Sequence, residues 1–320
     1  MKNNGKRKPT WTYFAPTPAK ITPDPIISQT FHRRHFLQTA AASALYLATG
    51  RFSSAETATL AGTDRIKVGL CTYRWGENAQ LPELLDALAA AGMTGIELRC
   101  HHKHGVEPEL DASARREVKR RFNDAGITLV GFGTNEDFHH KEPEKVREHI
   151  ERAKEYVRLS ADCGASGIKV KPNDLPEGVA REKTTAQIAE ALDELGEYAA
   201  GFGQVIRLEN HGQCAPIPIM REIIEQVHAP NVGLCWNSNR VDLEAPGFEA
   251  NLRSVLDRLA DTAHICGTPA NVYPYGDLCR ILTAASWNGW LLIENGQPTE
   301  NLTESLKATK AEFDRLLAAE

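Results

Sequence analysis

From residue 65 onward, short apolar or β-branched runs alternate without interruption with longer stretches whose apolar residues recur three and four apart. The short runs are RIKVGLCTY (65–73), GIELRC (95–100), ITLVGFG (127–133), GIKVK (167–171), VIRLE (205–209), NVGLCW (231–236), AHICG (263–267) and WLLIE (290–294). Runs of this length, rich in β-branched residues, fit strands buried on both faces. Between them, LPELLDALAAAG (81–92), VREHIERAKEYVRLSADCG (146–164), TAQIAEALDELGEYAAG (185–201), FEANLRSVLDRLAD (248–261) and LTESLKATKAEFDRLLAA (302–319) carry the helical period. Gly92, Gly126, Gly164 and Gly289 fall between a helix and the next strand, where a left-handed cap is expected. Alternating βα units of about 30 residues require a parallel sheet, and eight in roughly 250 residues predict a closed, single-domain (β/α)8 TIM barrel over 65–320. An open doubly wound sheet is the alternative, but no glycine-rich phosphate loop follows the first run.

The chain ahead of the barrel differs in kind. Residues 1–30 are rich in Lys, Asn, Thr and Pro without periodicity and read as a disordered extension. In 31–55, Arg33 and Arg34 are followed one residue later by Phe36 and Leu37 and then by a mild apolar run, which resembles a twin-arginine export signal. Ser53-Ser54-Ala55 offers a cleavage site, and 56–64 is a linker. An exported, periplasmic protein is the expectation; a short amphipathic helix with a chance arginine pair is the plainer alternative.

Composition narrows the partners. A net charge of -5 gives no basic footprint, which argues against nucleic acid. Seven scattered cysteines without a CxxC pair argue against a disulfide framework or a four-cysteine zinc site. No segment approaches the ~20 apolar residues of a membrane span. Nothing in the composition opposes a homo-oligomer.

A barrel of this kind carries its site at the C-terminal ends of its strands. The period of two places Arg207, Glu209 and His211 on one side of the fifth strand. The same count selects Glu97 and Arg99, Lys169 and Lys171, Asn237, His264 and Glu294. Glu97 paired with Arg99, Lys169 or Arg207 is read as structural charge compensation. Glu209, Asn237, His264 and Glu294, from four successive strands, form an oxygen-rich set with one imidazole, suited to Mn2+, Mg2+ or Co2+. His101, His102, His104, Asn135, Glu136, His139 and His140 read as rim residues that hydrogen-bond sugar hydroxyls. Trp75 and Trp236 are candidates to stack on a sugar ring.

GIELR, LENHG, GLCWNSN, His264 and LLIENG, in this order and at these strand ends, resemble the xylose isomerase-like barrels of the sugar phosphate isomerase/epimerase superfamily. The resemblance implies metal ligands at Glu209, Asn237, His264 and Glu294. Asn237 stands where the family commonly has Asp, and Arg240 where it has a substrate-contacting His. It further implies a sugar isomerase or epimerase working through a metal-stabilised enediolate. Glu209 and Glu294 would move the proton, and Lys171 or Lys169 would steady the oxyanion. His211, Arg240, Lys169, His102 and Trp236 would meet the carbohydrate. A lyase or hydratase acting on 3-keto-glycosides, or a non-catalytic sugar-binding protein, are the alternatives.

Overall fold

The computed structural model describes residues 66–266 and 273–319. The extension, the export-type signal and the linker therefore lie outside the described residues. Eight strands run in parallel: β1 (Ile66–Cys71), β2 (Gly95–Arg99), β3 (Thr128–Asp137), β4 (Gly167–Lys171), β5 (Val205–Glu209), β6 (Val232–Asn237), β7 (Leu259–Ile265) and β8 (Gly289–Ile293). They pair in sequence order and β8 closes on β1, so the sheet is a TIM barrel. The helices are α1 (Leu81–Ala91), α2 (Ala112–Ala125), α3 (Pro143–Cys163), α4 (Arg181–Ala200), α5 (Ile217–Ile224), α6 (Phe248–Val255), α7 (Tyr275–Ala284) and α8 (Leu302–Ala318). Gly92, Gly126 and Gly164 close α1 to α3 in the left-handed region, at φ 67, 65 and 81°.

Gly289 does not act as a cap. It opens β8, where an added Cβ would lie 2.4 Å from the Trp287 ring, so its missing side chain makes room for an indole. The helix expected over 248–261 is also shorter than its pattern. Leu252, Val255, Leu256 and Leu259 continue the helical spacing, but a 3-10 turn at Leu256–Arg258 ends it and β7 begins at Leu259.

Glycines in the first half of the strands shape the barrel interior. A Cβ on Gly95 would meet the Trp290 ring at 2.2 Å, and one on Gly131 or Gly167 would meet Arg207 Nη1 at 2.8 or 2.9 Å. Trp290 and Arg207 thus fill the lower barrel because their neighbours have no side chains. Arg207 is fully buried and holds Asp261 through two hydrogen bonds of 2.6 and 2.9 Å. With that layer sealed, the polar strand ends gather above it at the mouth.

Candidate active site at the barrel mouth

The register sets Glu209 beside Cys235 and Asn237 beside His264, near the C-terminal ends of their strands. His264 is fully buried at the centre. Its Nε2 lies 3.1 Å from Glu97 Oε1, so Nε2 carries the proton and Nδ1 points the other way. Nδ1 faces Glu294 Oε2 at 3.3 Å and Glu209 Oε1 at 3.6 Å, and makes no hydrogen bond. Each carboxylate gives its other oxygen to a cation: Lys169 Nζ sits 2.6 Å from Glu209 Oε2, and Arg99 Nη1 sits 2.7 Å from Glu294 Oε1. Asn237 Nδ2 donates to Glu209 Oε1 at 2.8 Å. Cys71 Sγ lies 3.3 Å from Glu97 Oε1 and 3.9 Å from Glu294 Oε1.

These contacts correct the expected ion pairs. Glu97 is held by His264 and Cys71; Lys169, Arg99 and Arg207 answer Glu209, Glu294 and Asp261 instead. The pairing shifts because Glu97 is taken up by the imidazole and the thiol, while the longer basic side chains reach carboxylates one or two strands away.

The electrostatics follow from burial opposed by neighbouring charge. Burial raises the Glu209 pKa, but Lys169 and His264 hold it well below the usual carboxylate range. Burial likewise opposes Glu294, which His264 lowers to about 2. His264 loses by burial but is held well above the ordinary histidine value by Cys235, Glu294, Cys71 and Glu97. Lys171, buried and close to Lys169 and Arg99, is lowered to about 8 while its Nζ donates to Asn135 Oδ1 at 2.9 Å.

A divalent ion fits this donor set. Nδ1 is a buried polar atom without a hydrogen bond, its ring is oriented by a carboxylate behind it, and two carboxylate oxygens face it. Glu209, His264 and Glu294 would hold such an ion, with the Asn237 amide alongside. Cys71, His264 and Glu294 also group closely enough to share a metal, so Cys71 is a donor the strand-end reading missed, although it ends β1.

The remaining predicted residues divide. His211 is half-buried and its Nδ1 meets Asn173 Oδ1 at 2.7 Å. His102 is half-buried, its Nδ1 makes no hydrogen bond, and burial lowers its pKa to about 4. Arg240 is exposed and, among the described residues, makes no side-chain hydrogen bond or ion pair. Trp236 is not at a sugar-stacking surface: it is 2% exposed, packs edge-on against Phe248 and donates to Tyr273 Oη at 2.9 Å. It precedes Asn237, so the alternation that turns Asn237 inward turns Trp236 towards the helix layer. Trp75 is buried in the core. Asn210, the amide of LENHG, lies outside the predicted set, yet it braces the Asn237 backbone, accepting from its N–H at 2.5 Å and donating to its carbonyl at 3.0 Å.

Residues 85–312 match the family described as xylose isomerase-like TIM barrels. The chain belongs to this family. A curated relative of the xylose isomerase-like chain is a 3-dehydroshikimate dehydratase from Pseudomonas aeruginosa, 31% identical over 132 residues. That stretch is 40% of this chain and 19% of the relative, so the chain spans about a fifth of the relative's length. Among solved structures, the apo 3-keto-D-glucoside 4-epimerase from E. coli is similar at a TM-score of 0.66 and 15% identity, covering 78% of this chain and 99% of that one. A structure of the IOLI protein with a bound zinc atom is similar at 0.67 and 16%, covering 79% and 98%.

Proposed function

We propose that this xylose isomerase-like barrel is an exported sugar isomerase or epimerase that moves a proton at a carbon next to a carbonyl. One observation carries the reading: Glu209 and Glu294, from β5 and β8, face the same imidazole nitrogen at 3.6 and 3.3 Å, each tied by its other oxygen to a cation. A carbon held between two carboxylates can lose a proton to one and regain it from the other. That is the requirement of epimerisation. A bound divalent ion would polarise the carbonyl oxygen. Glu294, the less buried of the pair, takes the α-proton, and Glu209 serves the opposite face. The Lys171 ammonium, with its pKa lowered to about 8, donates to the oxygen where charge develops. His211 and His102 meet the sugar hydroxyls, and Arg240 reaches the substrate from the rim.

The match to a dehydratase favours a second reading, a lyase with the same first step. There the enolate expels a β-hydroxyl instead of being reprotonated. Proton exchange with deuterated water, followed on ketoses and 3-keto-glycosides, tests the shared step, and product analysis separates the two outcomes. Glu294→Gln and Glu209→Gln should each slow exchange about 10²–10⁴-fold, the usual contribution of a general acid–base group. Exchange at the native rate in either variant would remove that residue from the role. No exchange by the native protein on any carbohydrate, with sugar binding retained, would favour a binding protein.

A further inference from the structure

A second group of ligating side chains lies apart from the His264 centre, where β3 leads into α3. Asp137, the last residue of β3, His140, and His149 on α3 bring one donor atom each within 4.8 Å of one another. Asp137 is 7% exposed. Its Oδ1 lies 2.7 Å from His140 Nε2, 3.5 Å from His139 Nδ1 and 3.9 Å from His149 Nε2. Yet Asp137 Oδ1, His139 Nδ1 and His140 Nε2 are all buried without a hydrogen bond. Unsatisfied buried polar atoms gathered around one carboxylate are costly unless something answers them.

The outer contacts support one answer. His149 Nδ1 lies 2.9 Å from Glu136 Oε2 and accepts from the Asp137 N–H at 3.3 Å, while its Nε2 turns towards Asp137 Oδ1 at 3.9 Å. His139 repeats the pattern, with Nδ1 towards Asp137 and Nε2 3.7 Å from Asp174 Oδ2. A carboxylate close beside His149, and a more distant one beside His139, resemble the arrangement that orients metal-bound histidines. The rings pack against one another at centroid distances of 4.4 Å (His139–His140) and 4.8 Å (His140–His149). One carboxylate with three imidazoles suits a borderline metal such as zinc better than Mg2+ or Ca2+.

We infer that Asp137, His139, His140 and His149 form a second, zinc-class metal site where β3 leads into α3. Asp137 Oδ2 accepts from Asn173 Nδ2, and Asn173 Oδ1 holds His211. A metal that fixes Asp137 therefore also fixes the imidazole at the mouth, which makes this a positioning site. The expectation that His139 and His140 serve sugar hydroxyls is replaced by this one.

Equilibrium dialysis of chelator-stripped full-length protein against Zn2+ tests the inference, with bound metal counted by mass spectrometry. His264→Ala, which disables the barrel centre, should retain one zinc that the His140→Ala/His149→Ala pair loses. The Co2+-loaded His264→Ala protein should show ligand-field absorption that disappears when the His140→Ala/His149→Ala pair is added to it. Should the double variant not fold, His149→Gln decides: zinc affinity at the site retained by His264→Ala should fall at least about tenfold when His149→Gln is added. Unchanged zinc binding on replacing these histidines, or none in His264→Ala, overturns the inference.

Discussion

At the scale of single residues, Asn237 joins electrostatics to function. Its amide donates to Glu209 Oε1 at 2.8 Å, the oxygen that also faces His264. An Asp there would set two carboxylates side by side, an arrangement relieved by taking up a cation. Asn237→Asp should therefore tighten Mn2+ or Mg2+ binding by about tenfold, or ~1.4 kcal/mol. Titration calorimetry on the two proteins checks this, and equal affinities would take residue 237 out of the metal's surroundings. Glu209 and Glu294 stand out in the sequence because a carboxylate ending an apolar run has few structural uses, and His264 because it is a lone imidazole inside one. Cys71 does not, since a cysteine ending a strand looks like any small apolar residue. Trp236 misled because an aromatic beside a polar strand end gives no sign of which face it occupies.

At the scale of elements, the patterns were clearest where hydrophobicity changed abruptly. The end of α6 was hidden because leucines at helical spacing run into β7, whose first three residues are only half-buried. The last residues of β3, polar Asn135 to Asp137, read as a loop although Asp137 pairs with Lys171. The turn after β6 supplies a pH-dependent term. Asp242 is fully buried, accepts from Tyr273 Oη at 2.7 Å, the Asn239 N–H at 2.8 Å and Asn210 Nδ2 at 3.3 Å, and has its pKa pushed up to about 7 by burial. The folded state thus holds this proton more tightly than the unfolded chain, whose carboxyl titrates near 3.8. Stability from this group is greatest below that value, declines as pH rises towards 7 and is level above it. A shift of this size corresponds to at most about 4 kcal/mol. Asp242→Asn should remove the decline, so its stability relative to the native protein should improve between pH 5 and pH 8. Urea unfolding at the two pH values measures it, and a difference independent of pH would show that Asp242 is not held protonated.

At the scale of the whole molecule, two predictions concern delivery and the sealed floor of the barrel. The export proposal rests on Arg33 and Arg34 ahead of Phe36-Leu37. Changing both to Lys should leave precursor in the cytoplasm, since a guanidinium pair is not interchangeable with two ammonium groups; undiminished periplasmic recovery would refute it. The second prediction follows from the glycines that admit Arg207. With Gly131 and Gly167 clearing space around its guanidinium, Arg207 is fully buried and its charge is met chiefly by Asp261. Removing one partner of such a pair leaves a charge stranded in the interior, which typically costs 3–5 kcal/mol. Asp261 reaches solvent with 36% of its side chain, so water can answer part of the loss, and Asp261→Ala should destabilise by about 3 kcal/mol. Replacing Arg207 as well, in Arg207→Met/Asp261→Ala, should recover much of this, because no charge then remains to be solvated. Urea denaturation of the three proteins decides it. If the double variant were no more stable than Asp261→Ala, the loss would come from packing around Asp261 and not from a stranded guanidinium. The ion pair would then be a by-product of the barrel floor and not what holds it closed beneath Glu97 and Glu209.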